Sequence, residues 1–140
     1  MIPDQAMTRG ERNCNPGNIR RTSDRWQGMS EDQSQDKAFV VFDRPEMGIR
    51  AIGKVLLSYY REGLNTVQQI IHKWAPPVEN DSGAYVRDVA SRMGVSPDEK
   101  LILTDPEVLR NLTVAIIWHE NGRCIYAESA IQTGVLGALA

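Results

Sequence analysis

The chain has 140 residues, 41% of them hydrophobic and 24% charged, with a formal net charge of -2. A chain of this size buries about two-thirds of its unfolded surface as one domain without disulfide or metal staples. Its charge argues against a protein that chiefly neutralises phosphates, and no apolar run approaches the roughly 20 residues of a membrane span. Two cysteines, Cys14 and Cys124, and two histidines, His72 and His119, supply neither a disulfide framework nor metal-ligand spacing, so neither a cofactor nor a catalytic metal is expected.

In chain order, Met1-Ile2-Pro3-Asp4-Gln5 lacks the basic and apolar regions of a signal peptide. Five arginines (Arg9, Arg12, Arg20, Arg21, Arg25) then stand against Glu11 and Asp24, a basic stretch that suits a solvated face or an anionic polymer. The turn-forming "NPG" leads into "NIRR", and the β-branched and aromatic "AFVVFD" follows the polar loop "SEDQSQDK"; together they read as a small antiparallel sheet over about 15–43. Helical periodicity takes over at Asp43, which forms a capping-box-like start with Glu46, and runs to about Gly63. Asn65 is placed to cap a second helix that stops at Pro76-Pro77, and Asp81 or Ser82 a third that ends at Gly94. Thr104-Asp105-Pro106-Glu107 opens a fourth, which carries Leu109, Leu112, Ile116 and Ile117 into His119-Glu120-Asn121-Gly122. A last helix covers about 127–139. The chain thus reads as one α+β domain over 1–140, mainly α, with a helical bundle over about 44–140 and an early sheet that can wall a cleft.

Neither a GxGxxG nor a GxxxxGK[ST] signature is present, nor a GxSxG elbow. Cys14 as a nucleophile would need a histidine in reach. Carboxylates remain as the candidates for chemistry. Glu120 closes an apolar helix at the end where a negative charge is least favoured; that setting is poor for a structural carboxylate and suits a proton donor to a glycosidic oxygen. Glu79, in the proline-introduced "PPVENDS", is the second candidate, and Glu11 reads as a salt-bridge partner within the basic stretch.

At these residues the chain resembles known families. "AIIWHENG" resembles the AIIxxESG signature of soluble lytic transglycosylases and goose-type lysozymes, in which the glutamate closing a buried helix is the catalytic acid. "YVRDV" resembles the tyrosine-bearing helix that faces that acid. "RGERNCNPGNIRR", "WQG", "FVVFDRPEMGIRA" and "IIHKWAPPVENDSGAYV" together resemble a family of phage and prophage virion proteins and bacterial relatives with the motif RGxRNNNPGNIR. Since the asparagine-rich segment comes first here and the acid helix late, the order of parts reads like a circular permutation of a lysozyme-like domain, a rearrangement that proximal termini make cheap. The permuted reading places Gly122 near Asn15 and makes Cys14, which stands where the resembling phage proteins usually have asparagine, a neighbour and candidate disulfide partner of Cys124.

The resemblance implies peptidoglycan glycan strands as substrate, cleaved by a muramidase or lytic transglycosylase with Glu120 as acid and Glu79 as the second carboxylate. Asn15, Asn18, Trp26 and Asn121 would hold the sugar and Tyr85 would orient the acid, while Trp74 and Trp118 are candidates for either core or stacking. Other virion proteins are candidate partners, whereas nucleic acid and a membrane span are not expected. The protein would act from a phage virion or the host cytoplasm, with delivery to the periplasm and cell wall. The alternative is a non-catalytic virion structural or wall-binding protein of similar shape.

Overall fold

A computed structural model describes residues 6–140. Met1 to Gln5, on which the signal-peptide expectation rests, lie outside the described residues. Among the described residues six helices follow one another: α1 (Arg9–Arg12), α2 (Pro45–Arg61), α3 (Val67–Trp74), α4 (Ser82–Met93), α5 (Pro106–Asn121) and α6 (Glu128–Leu139). Their starts are set by side chains that accept otherwise orphaned amide hydrogens. Thr8 and Glu11 form a reciprocal capping box on α1, Thr66 accepts from the Gln69 amide, Asp81 from Ala84, and Asp105 from Glu107. The caps therefore fall one residue after the expected Asn65 and Thr104. α2 starts from Arg44 without a side-chain cap, on Pro45, because the Asp43 carboxylate instead takes the Ser30 hydroxyl at 2.7 Å. Gly122 ends α5 in the left-handed conformation at φ 72°, which a residue without Cβ adopts at no steric cost.

The antiparallel sheet expected over 15–43 does not form, and the α+β, lysozyme-like layout built on it is corrected: among the described residues the protein is all-helical, with only two isolated bridges, Arg20 with Phe39 and Met29 with Phe42. The reason lies in competition for peptide groups. Two backbone bonds pair the expected strands, Arg21 N–H to Ala38 O and Val40 N–H to Ile19 O, and on either side of them local side chains take the hydrogen bonds that would extend the ladder. The Asn15 amide donates to the Ile19 and Val40 carbonyls and accepts from the Ile19 N–H. Gln33 donates to Val41 O and accepts from Val41 N. The Asp36 carboxylate accepts from the backbone of Ala38 and Phe39, from Asn13, and twice from Arg9 at 2.7 Å. The hydrogen-bonding Arg9 guanidinium holds the Asp36 carboxyl far below the usual carboxylate range despite the burial of the acid. Irregular chain consequently takes the place assigned to a sheet.

This segment is fastened at both ends of the bundle. Val40 and Phe42, with Ile19, Trp26, Met29 and Met47 beside them, pack on Ala51 of α2. Thr8 donates to the Asn121 side chain at 2.7 Å, which itself donates to Pro16 O at 2.8 Å; Arg123 makes a two-pronged pair with the buried Glu11. The end of α5 and the "NPGN" turn are thus in contact. Cys14 and Cys124 are both free thiols, and burial raises the Cys14 thiol above its ordinary value. The principal core is formed by helices α2 to α6, with Ile49, Ile52, Leu56, Ile70, Ile71, Leu109, Leu112, Ile116 and Ile117 completely buried, each worth about 1.5–3 kcal/mol of transfer free energy. No helix among the described residues is long and apolar enough to cross a membrane.

α2 and α6 approach through Gly134, where an added Cβ would lie 2.6 Å from Ile49 Cγ2, 2.7 Å from Ile49 Cβ and 2.9 Å from Glu46 O. Gly134→Ala should therefore lower stability by about 1–3 kcal/mol through overpacking, although alanine is the better helix former by about 1 kcal/mol; an unchanged or raised urea midpoint would mean that the helices separate freely. The depressed Asp36 carboxyl carries a pH dependence. Its contribution is fully present above the unfolded aspartate value of about 3.9 and is lost as pH falls below it toward the folded value. Asp36→Asn should cost roughly 2–3 kcal/mol at pH 7, and its stability gap to the wild type should narrow between pH 5 and about pH 2 in urea titrations; a gap independent of pH would remove the ion pair from the account.

Candidate active site

Glu120 lies on the last turn of α5, half-buried, two residues before the Gly122 cap. Two groups from distant parts of the chain hold its carboxylate: Asn18 Nδ2 donates to Oε1 at 2.8 Å and the Tyr85 hydroxyl to Oε2 at 2.7 Å. Asn18 has a left-handed backbone, φ 50°, a conformation asparagine tolerates better than most residues. Tyr85, on the buried face of α4, also accepts from Trp74 Nε1 at 3.1 Å. Burial, and then the neighbouring Glu120, push the Tyr85 hydroxyl far above its ordinary value, so it is a neutral donor near pH 7. The result is a fixed acid flanked by two uncharged donors, in place of the apolar niche that the neighbouring isoleucines suggested.

The acid faces an open cleft of about 440 Å³. Asn18, Arg20, Asp24, Trp26 and Phe39 from the irregular segment line it, together with Val55 and Tyr59 of α2, Trp74 at the end of α3, and Glu79 and Asn80 of the α3–α4 turn. A second hollow of about 270 Å³ shares Asn80 and Glu120 with the first and adds Asp81, Ala84, Tyr85 and His119. Glu120 therefore lines both hollows.

The candidate residues divide into two groups. Glu120, Glu79, Asn18 and Trp26 line the cleft, and Tyr85 lies behind Glu120 and borders the second hollow. Asn15 is 0% exposed, with its amide spent on the backbone of Ile19 and Val40. Asn121 holds Pro16 O, Ile117 O and the Thr8 hydroxyl. Both tie the scaffold and neither lines the cleft. Trp74 is a wall of the cleft, whereas Trp118 lies under the Arg92 guanidinium at 4.8 Å.

One contributor escaped the sequence reading. The His119 ring stacks on Tyr85 with centroids 3.7 Å apart, and its Nδ1 pairs with Asp88 Oδ2 at 2.8 Å. The signal available was spacing: a histidine directly before the acid on one helix, and an aspartate three residues after the tyrosine on the other, one turn along the same face. Among the described residues no group of three or more His, Cys, Asp or Glu side chains is arranged to hold a metal ion.

No protein-family model matches the chain. Its sequence is similar to that of protein P5 of Pseudoalteromonas phage PM2, with 36% identity over 140 residues spanning 96% of this chain and 85% of that protein.

The Tyr85–Glu120 contact links α4 to α5, and its energetic weight is measurable without any assumption about function. In a double-mutant cycle, Tyr85→Phe and Glu120→Gln should couple by about 1.5 kcal/mol, the scale of a hydrogen bond to a charged group. Urea denaturation of the four proteins gives the value, and additivity within about 0.3 kcal/mol would mean that water satisfies the carboxylate equally well.

Proposed function

The chain belongs to the family of protein P5 of Pseudoalteromonas phage PM2, and from that premise we propose that it serves a phage or prophage as a component that cleaves the glycan strands of peptidoglycan, with Glu120 as the general acid. The observation that carries this reading is the suspension of Glu120 between Asn18 and Tyr85 where it lines two adjoining hollows. Cleavage of a glycosidic bond needs a proton on the leaving oxygen as the carbon–oxygen bond breaks. The two donors fix the direction of the Glu120 carboxyl group, so that its orientation is set before the sugar arrives.

Glu79 borders the same cleft from the α3–α4 turn. In a hydrolase that inverts the anomeric centre it is the residue to activate a water from the opposite face of the sugar, a role that requires a carboxyl separation of roughly 6.5–9.5 Å in the complex. In a lytic transglycosylase no second carboxylate is needed, since the sugar's own hydroxyl attacks. Trp26 and Trp74 are the aromatic surfaces available to the apolar faces of sugar rings. His119, stacked on Tyr85 and tied to Asp88, is a positioning residue that fixes the ring whose hydroxyl holds the acid.

A second reading is favoured by one feature: both Glu120 oxygens already have partners within the protein, as in a structural carboxylate that joins α4, α5 and the irregular segment. On that reading the protein is a non-catalytic virion or wall-binding component with a glycan-sized cleft.

Digestion of purified peptidoglycan, followed by mass analysis of the released fragments, tests both. Wild-type protein should release fragments, and Glu120→Gln should reduce the rate by about 10²–10⁴-fold, the usual worth of a general acid, while retaining glycan binding. Anhydro products would assign transglycosylation and reducing ends hydrolysis. Fragment release that survives Glu120→Gln but is lost in Glu79→Gln would transfer the acid to the α3–α4 turn. Glycan binding without fragment release by the wild type would establish the non-catalytic reading.

A further inference from the structure

Chemistry at Glu120 leaves the arginine-rich stretch unexplained. Within it, Arg9 is paired with Asp36, while Arg12 and Arg21 donate to the carbonyls of Met7 and Lys37. Arg20 and Arg25 differ, since neither side chain makes a hydrogen bond or ion pair with any described residue. Of the two, only Arg20 lines the cleft, which Asp24 also lines. Its guanidinium lies 5.2 Å from the centroid of the Phe39 ring, and its backbone is registered to Phe39 by one of the two isolated bridges. A cation over an aromatic face is restrained without spending its N–H donors. The same ring also carries the Arg9 guanidinium at 4.4 Å. Asp36 neutralises Arg9, so the uncompensated charge at this ring belongs to Arg20.

The other Asp, Glu, Lys, Arg and His side chains along the cleft are all carboxylates: Asp24, Glu79 and Glu120. An anionic polymer is therefore repelled along most of the cleft and attracted at one point. We propose that Arg20 is a carboxylate-binding subsite that selects glycan bearing acidic substituents over neutral glycan, taking one such carboxylate in the two-pronged geometry of a guanidinium fork. The proposal rests on the reading of the cleft as a glycan site and adds the class of glycan. It also supplies a register. In a strand freed of its stem peptides, where carboxylate-bearing sugars alternate with neutral ones, anchoring the carboxylate on Arg20 brings only one of the two alternating linkages to Glu120.

The test measures calorimetric binding of two tetrasaccharides: one of N-acetylglucosamine alone, and one alternating N-acetylglucosamine with N-acetylmuramic acid, which carries lactyl carboxylates. Wild-type protein should prefer the acidic tetrasaccharide by about tenfold, the scale of one charge-assisted hydrogen-bonded pair, and the preference should shrink as salt is added. Arg20→Gln should weaken the acidic ligand about tenfold and the neutral one less than twofold; Arg20→Lys, which keeps the charge and loses the fork, should fall between. The exposed, unbonded Arg20 side chain makes these variants safe for folding. Equal weakening of both ligands, or an unchanged preference in Arg20→Gln, would overturn the subsite while leaving the glycan cleft intact. Binding of neither tetrasaccharide by the wild type would overturn both. Retained preference without any cleavage would support the subsite and count against the catalytic reading alone.

Discussion

A stretch of irregular backbone can face a cleft only if its peptide groups have partners, since a buried unpaired N–H or C=O costs about as much as the lost hydrogen bond. Here side chains supply many of those partners, beside backbone pairs such as Val40 N–H to Ile19 O and Arg21 N–H to Ala38 O. Asn15, Gln33 and Asp36 fold the segment 13–41 upon itself, and Asn121 bolts it to the end of α5. Everything at the site depends on that arrangement. Asn18 reaches Glu120 only because Asn15 and Asn121 fix the turn on either side of it, and Arg20 and Trp26 reach the cleft only because the chain beyond is held to Val40 and Phe42. The helices provide a rigid wall with the acid on it, and the polar network brings the opposite wall to the acid.

Legibility followed from where each signal resides. Helices α4 and α5 were readable because their apolar stripes, their terminal glycines Gly94 and Gly122 and their polar starts point to the same answer, whereas α6, without a side-chain cap, was readable from its apolar residues alone. The exact caps slipped by one residue, because Asn65 and Thr66, or Thr104 and Asp105, are chemically equivalent as letters and only the entry angle of the chain chooses between them. The helix α1 was overlooked although its Thr8-x-x-Glu11 box is in the sequence; one turn carries too little periodicity to announce itself. The missing sheet is the instructive error. "AFVVFD" has the composition of a strand, and two bridges do form, but β propensity measures fit to a half-buried surface, and amides spaced several residues away compete for the same peptide groups.

At the site, the place of Glu120 on the cleft was legible from its position and that of Tyr85, facing the carboxyl, through a family resemblance, whereas the bond from Asn18 to Glu120 was not. The asparagines show the limit most clearly. Asn15, Asn18 and Asn121 look alike in the sequence, and all have the donors and acceptor to hold a sugar. The structure spends Asn15 and Asn121 on the scaffold and turns only Asn18 toward the cleft. His119 was passed over for the converse reason: its contribution is to the ring beside it, and sequence reading favours residues whose own chemistry is reactive.

Cys14 has a left-handed backbone at φ 52°, and its carbonyl oxygen lies so near Gly48 that any Cβ there would come within 2.0 Å of it. The position is thus governed by the path of the main chain, and the thiol is a tolerated occupant of a conformation in which asparagine is commoner. This gives the asparagine-rich signature a particular meaning for comparing relatives. Its letters specify a shape that survives whether or not any bond is broken nearby, so a relative can keep the whole motif and lack the reaction. A survey of such chains that sorted them by whether the Tyr85 and Glu120 positions change together would separate inheritance of the scaffold from inheritance of the chemistry.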